Sequence, residues 1–343
     1  MSMHENRGRI LTILGVALGI IVVGFLLRPR GGDPKKTLRV FAADSLAQSL
    51  PRIKRAFEKE HPDIHLEIEF QGSVVLLRLV PLRRCDVAIV ADARLVERML
   101  RPHTATWVAK FATTEMVIAY TDASKYAAQI TPDNWYDVLL RKDVHYSHGD
   151  PTQDPCGYFA LLCWKLAERH YAAETGNRRL YDELKSGCDP RHVRADALEL
   201  VSVLESKTAY DYAFVYRCLA VDHRLPCVRL PRAINLGDVG SESQYAQVQT
   251  EVPSYRGGVE TVSGSCITFG ATIPENCGNR EAAEEFVRFV LSEKARAILN
   301  DSAITPLDPP TVPSWGRVPP FLVGLAVAEG VPIRASQGAP AGP

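Results

Sequence analysis

Two early stretches follow one plan: an apolar strand pattern, a short polar break ending in serine, then an apolar run. Leu38 to Ala43 reads as a buried strand broken by Asp44-Ser45, and Leu46, Leu50, Ile53 and Phe57 recur beyond it at helical spacing. Pro51 lets the regular helix begin near Ser49. Ile64, Leu66, Ile68 and Phe70 alternate with His65, Glu67 and Glu69 as a half-exposed strand, which Gln71-Gly72-Ser73 ends before the run Val74 to Val80. Asp86 to Val90 is a third strand, followed by a helical pattern over Leu95 to Leu100. Strands and helices alternating at this spacing argue for a parallel α/β sheet, whose ligands bind beyond the carboxyl ends of the strands. Ser45 and Ser73 both lie at such ends, and Gly72 permits a close approach of backbone.

A third junction has a different chemistry. Asp150-Pro-Thr-Gln-Asp-Pro-Cys-Gly-Tyr158 runs into an apolar helical pattern, Phe159 to Tyr171. Proline disfavours helix at the residue before it, so Asp154 is expected in extended or turn geometry at a helix N-terminus, where unpaired N–H groups attract anions. The plain alternative is that Asp154 only caps its own helix. Further along, Met116 to Tyr120 reads as a strand, Asp133 to Leu140 as a short helix and Ala173 to Pro190 as a polar, poorly patterned region. Asp196 to Leu204 is helical, and the aromatic strand Tyr210 to Tyr216 delivers Val215 and Tyr216 to a loop. After a short strand over Cys227 to Leu230 and another over Ser265 to Ile273, Asn279 caps a predicted helix, Arg280 to Leu299. Beyond Ser302 the chain is rich in Pro, Gly and Ala and reads as an extended tail.

Composition narrows the partners. With 343 residues and 46% hydrophobic content the chain is long enough for two domains. Lys+Arg and Asp+Glu both number 40, which gives no basic excess to recruit nucleic acid, so any anion selectivity is local. Residues 10–27 are free of charge and flanked by Arg7, Arg9, Arg28 and Arg30, a length at the lower edge of a membrane span. The expectation is an uncleaved N-terminal anchor, with a cleaved signal peptide as its competitor and the rest of the chain extracytoplasmic. The eight cysteines contain no C-x-x-C and are expected to be mainly small buried filler.

From Leu38 to about Leu307 the order of motifs resembles the WtpA-like solute-binding proteins of tungstate/molybdate ABC importers. The resemblance is carried by Phe41-Ala-Ala-Asp-Ser-Leu46, Gly72-Ser-Val74, Phe111 to Asp122, Asp133-Asn-Trp-Tyr136, Asp154-Pro-Cys-Gly-Tyr158, Tyr212-Ala-Phe-Val-Tyr216 and Asn279 to Phe286. It implies an α/β, type II periplasmic-binding-protein fold, with two lobes joined by crossing strands near Phe111 to Tyr120 and Ser265 to Ala271. The implied division is an anchor and linker over 1–36, lobe I over 37–112 and 265–310, lobe II over 113–264, and a tail over 311–343. It also implies a small tetrahedral oxyanion in the cleft, no cofactor, no catalysis, and an ABC permease with its ATPase as partners. Residue by residue, Ser45 and Ser73 match the family's ligand serines and Asp154, Pro155 and Cys156 its lobe II segment, with Asp154 directed to the metal centre of the oxyanion. Two positions depart from the pattern. Val215 stands where the family has a coordinating Glu, and Asp44 where it usually has Gly. Asp44 either replaces the missing carboxylate or points away while its backbone N–H serves; Tyr216 completes the expected site.

Two readings of another class compete. Cys156 with one of nine histidines could form a nucleophile pair, although no spacing supports it. His145-x-x-His148 with Asp150 and Asp154 gathers metal-ligand types in one loop. A membrane-anchored anion sensor, or a receptor for another anion such as sulfate, keeps the binding fold with a different output.

Overall fold

The computed structural model describes residues 36–254 and 257–329. The stretch 10–27, expected as an anchor, lies outside them; among the described residues no helix is long and apolar enough to cross a membrane.

Among the described residues thirteen strands occur in chain order: β1 (Lys36–Ala43), β2 (Ile64–Gln71), β3 (Val87–Val90), β4 (Ala109–Thr113), β5 (Met116–Tyr120), β6 (Tyr146–Ser147), β7 (Tyr212–Tyr216), β8 (Cys227–Arg229), β9 (Gln249–Pro253), β10 (Val259–Ser263), β11 (Thr268–Thr272), β12 (Thr305–Val312) and β13 (Val327–Ala328). The helices are α1 (Ser49–Glu60), α2 (Ser73–Leu79), α3 (Arg94–Leu100), α4 (Trp135–Leu139), α5 (Pro155–Thr175), α6 (Leu180–Gly187), α7 (Ala197–Glu205), α8 (Arg217–Asp222), α9 (Glu242–Tyr245), α10 (Arg280–Val290) and α11 (Glu293–Asp301). One sheet has seven strands in the order β13-β12-β4-β11-β3-β1-β2, and a second has four in the order β6-β7-β5-β8.

Lobe I is built on the larger sheet. β1 pairs in parallel with β2 and β3, as the strand–helix alternation required, whereas β11 runs antiparallel to both β3 and β4. Period-two burial covers both faces: Val40, Ala42, Val87 and Ile89 join the core under α1, while Phe41, Ala88 and Val90 join the cluster that holds Leu76, Leu77 and Leu95 from α2 and α3. Lobe II is built on the smaller sheet, whose Phe214 packs edge-on against Trp135 and Trp164. The chain passes from β4 of one sheet to β5 of the other through Thr114-Glu115 and returns from β10 to β11 through residues 264–267.

Four expectations need correction. The tail does not simply trail away: β12 pairs with β4, and β13 pairs with β12. Prolines cannot donate to a ladder, and the register of β12 shifts between Pro306 and Thr311, across Pro309 and Pro310, so the composition that suggested a tail marks an irregular strand. The span Arg280 to Leu299 is two helices, because the Ser292 hydroxyl donates to Phe289 O at 2.6 Å and accepts from Ala295 N, closing one helix and opening the next. The polar region Ala173 to Pro190 holds the end of α5 and all of α6. The strand expected from Ser265 begins at Thr268.

Val312 and Leu322 are fully buried, and Phe321 lies edge-on to Trp107 at 5.6 Å. Burying two such aliphatic side chains stabilises by roughly 3–6 kcal/mol. Truncation after Ala303 is accordingly expected to lower the thermal midpoint substantially; an unchanged midpoint in a melting experiment would show that this segment is dispensable to the core.

Candidate functional site

Ser45 and Ser73 project from lobe I, and Asp154 from lobe II. Asp154 has φ −137° and ψ 136° and caps α5, its Oδ1 accepting from Cys156 N at 2.7 Å, with Pro155 at the first helical position. The capping reading thus holds for one carboxylate oxygen. The other, Asp154 Oδ2, is buried and receives no N–H or hydroxyl donor, its one neighbour for a hydrogen bond being the Asp44 carboxyl when the pair holds a proton, and Ser45 Oγ and Tyr216 Oη are buried without a partner. Ser73 Oγ accepts from Ala91 N at 3.0 Å, which leaves its own proton to donate. Gly72 is required here, because a Cβ at that position would lie 2.7 Å from Gln153 O and 3.3 Å from Asp154 Oδ2.

The lobes are closed on one another. Val74 N and Val75 N donate to Gln153 O at 3.1 and 3.3 Å, Arg78 Nη2 donates to Thr152 O at 2.9 Å, and Tyr158 Oη donates to Asp92 Oδ2 at 2.8 Å. Asp44 adds a contact that sequence reading missed. Its Oδ1 accepts from the adjacent Ser45 N at 2.8 Å and its Oδ2 from Leu198 N at 2.9 Å, in the first turn of α7 in lobe II. Its side chain therefore enters the cleft. Asp92 was missed too, although it stands just past β3, the same kind of strand end that singled out Ser45 and Ser73.

Burial pushes the Asp44 carboxyl up to about 6, helped by the charge of Asp196 and opposed by the Leu198 N–H, a hydrogen bond with the Asp154 carboxyl and the Ser45 N–H. Asp154 is pushed well above the usual carboxylate range, first by burial and then by Asp44. Burial also drives the Cys156 thiol well above its ordinary value, and its Sγ lies 3.6 Å from Phe214 O, an arrangement for packing rather than nucleophilic attack. Val215 is in the apolar core, paired with Val117 across the sheet.

The structure does not gather the alternative sites. His148 is buried against Trp164 with Nδ1 2.7 Å from Gly149 O, and His145 lies against His192. Among the described residues no cluster of three or more His, Cys, Asp or Glu side chains could hold a metal ion. All eight cysteines are free and six are buried.

The geometry meets its relatives at this point. The sequence profile of the bacterial extracellular solute-binding proteins matches residues 38–302. An uncharacterized solute-binding protein of Petrotoga mobilis is 37% identical over 274 residues, 79% of this chain and 84% of its own. The molybdate/tungstate-binding protein WtpA of Pyrococcus abyssi is 32% identical over 341 residues, covering 92% and 97% of the two chains. Among solved structures, the periplasmic molybdate-binding protein of Azotobacter vinelandii superposes with a TM-score of 0.57 at 16% identity over 78% of this chain and 98% of that one. The sulfate-binding protein SubI of Mycobacterium tuberculosis gives 0.58 at 13% identity, over 80% and 88%. These two likenesses establish a fold of the periplasmic-binding-protein kind.

Both carboxyls are raised in the closed form, so closing takes up protons relative to an open cleft with ordinary carboxylates. Closure of the ligand-free protein is therefore favoured at acid pH and is lost as pH rises through about 6, with Asp154 extending the loss higher. Small-angle scattering across pH 4.5–8 is expected to show the radius of gyration increasing with pH; a constant radius would contradict proton uptake on closing.

Proposed function

The chain belongs to the bacterial extracellular solute-binding proteins, and from that premise we propose that its cleft captures a tetrahedral metal oxyanion, tungstate or molybdate, for an ABC importer. The observation that carries this reading is the set of buried atoms without partners contributed by both lobes: Ser45 Oγ, Tyr216 Oη and Asp154 Oδ2. Each unsatisfied buried group costs about 1–3 kcal/mol, which a bound ligand can recover. Two of them are hydroxyls able to donate to oxyanion oxygens. The third is a carboxylate, which repels a dianion unless it meets a proton or an electron-deficient centre. A Mo or W centre that can expand its coordination satisfies both kinds of group; the sulfur of sulfate satisfies only the first.

Asp44, Ser45, Ser73, Asp154, Pro155, Cys156, Val215 and Tyr216 form the proposed ligand site, Asp154 reaching the metal centre. The Asp44 side chain lies beside Asp154 and supports the role of second carboxylate that Val215 cannot fill. Two lobes with two crossings support the type II form of the fold. The protein binds without catalysis and hands its ligand to a permease coupled to an ATPase at the outer face of the membrane, held there by residues 10–27 or released after their cleavage. The valine at position 215 favours one further reading, a receptor less selective between metal oxyanions and sulfate.

Calorimetry of residues 37–329 against tungstate, molybdate, sulfate and phosphate tests the reading directly; binding of none would refute it. Ser45→Ala is expected to weaken oxyanion binding by about 1.5–3 kcal/mol, the range for a hydrogen bond to a charged group. It is the cleaner of the two serine variants, since Ser73→Ala also strands Ala91 N. Val215→Glu separates the roles of the carboxylates. Tighter tungstate with weaker sulfate would mean a vacant coordination position, and uniformly weaker binding would mean that Asp44 already fills it.

A further inference from the structure

Tyr158 and Asp92 form a contact that the ligand site does not use. Tyr158 is in lobe II, in the first turn of the 21-residue helix α5 that Asp154 caps. Asp92 is in lobe I, between β3 and α3. Tyr158 Oη donates to Asp92 Oδ2 at 2.8 Å, with both residues almost completely buried.

Asp92 does not need Tyr158 to be in place. Arg94 already holds it from within lobe I, through Nε and the backbone N on Oδ1, both at 3.0 Å, and Nη2 on Oδ2 at 2.8 Å. The remaining Nη1 of Arg94 donates to Ser263 O at 2.9 Å, where β10 leads into the second crossing between the lobes. One lobe thus presents a fixed, ionised acceptor that is tied to the hinge. The other presents a single hydroxyl on the helix that carries the proposed anion ligand. A donor of this kind can exchange its protein acceptor for water when the lobes part, which a structural core contact cannot do.

We propose that Tyr158 and Asp92 are a closure latch: when the N-terminus of α5 is drawn to lobe I, the Tyr158 hydroxyl docks on the Asp92–Arg94 pair and holds the closed form. The latch goes beyond the oxyanion reading and does not depend on which anion is bound. It acts on how long the cleft stays shut. Tyr158 is a positioning residue, not a ligand contact, and a charge-assisted hydrogen bond of this length slows opening.

Tyr158→Phe removes only the hydroxyl and keeps the buried ring. In stopped-flow measurements with tungstate the variant is expected to release ligand about tenfold or more faster, as for loss of a hydrogen bond to a charged group, while the association rate stays within about twofold. At pH 5, where the ligand-free wild type is expected to be closed, scattering from the ligand-free variant is expected to give a larger radius of gyration. Asp92→Asn supplies the second arm. Combined with Tyr158→Phe it is expected to add little to the faster release, since both changes break one contact. Unchanged release together with unchanged scattering would overturn the latch. A slower association with unaltered release would overturn it as well, by placing the hydroxyl in ligand capture. If tungstate and the other oxyanions do not bind at all, the function proposed above fails while the ligand-free scattering still decides the latch.

Discussion

A carboxyl from each lobe, buried in one water-excluded cleft, sets the terms on which the rest of the site works. Asp154 spends one oxygen on its own helix and Asp44 spends both on backbone N–H groups, one in each lobe. These bonds stabilise negative charge, yet burial, helped by the charge of Asp196 at Asp44 and of Asp44 at Asp154, outweighs them and both carboxyls are raised. The closed cleft therefore needs something positive in it. A proton can serve when the site is empty, and an electron-deficient centre can serve when it is full.

This requirement also decides between candidate sites. A cavity of about 820 Å³ lies beside the first crossing, lined by Arg217, Arg229, Arg232, Glu115, Asp238 and Asp308. Its charges are already matched: Glu115 accepts from Arg229 at 2.8 Å and from Asn235 at 2.7 Å, and Arg232 pairs with Asp238 at 3.1 Å. Gly237 fits against Glu115 so tightly that a Cβ would lie 2.5 Å from the Glu115 Cβ. These contacts pin the crossing and fix which residues meet when the lobes close. Ser45 Oγ, Tyr216 Oη and Asp154 Oδ2 are by contrast buried without such partners, a condition that suits a small polyoxygenated ligand.

Local signals carried the parts of this arrangement that are local. The apolar run of β1, the Asp-Pro break before α5 and the capping residue Asn279 each act within a few residues, and each has its predicted geometry. What escaped the sequence depends on distant partners or on chemistry that can be read two ways. Proline in β12 signals both a tail and an irregular strand, and only pairing with β4 decides. Ser292 inside an apolar periodicity looks like a tolerated helix residue until its hydroxyl bridges two helix ends. Asp44 and Leu198 are 154 positions apart, and no spacing rule connects them.

The placement of the second carboxyl has a consequence for closure. Were the two carboxyls at positions 154 and 215, both would lie in lobe II. Their repulsion would then be the same in the open and closed forms, a fixed cost of building that lobe. Here position 215 is an apolar core residue and the carboxyl partner of Asp154 is Asp44, in lobe I. The repulsion is small while the lobes are apart and grows as they approach, since Coulomb energy varies inversely with distance and is screened less in a buried site. Closure must then be coupled to whatever neutralises the pair. Moving one negative charge across the cleft turns a property of one lobe into a condition on the hinge.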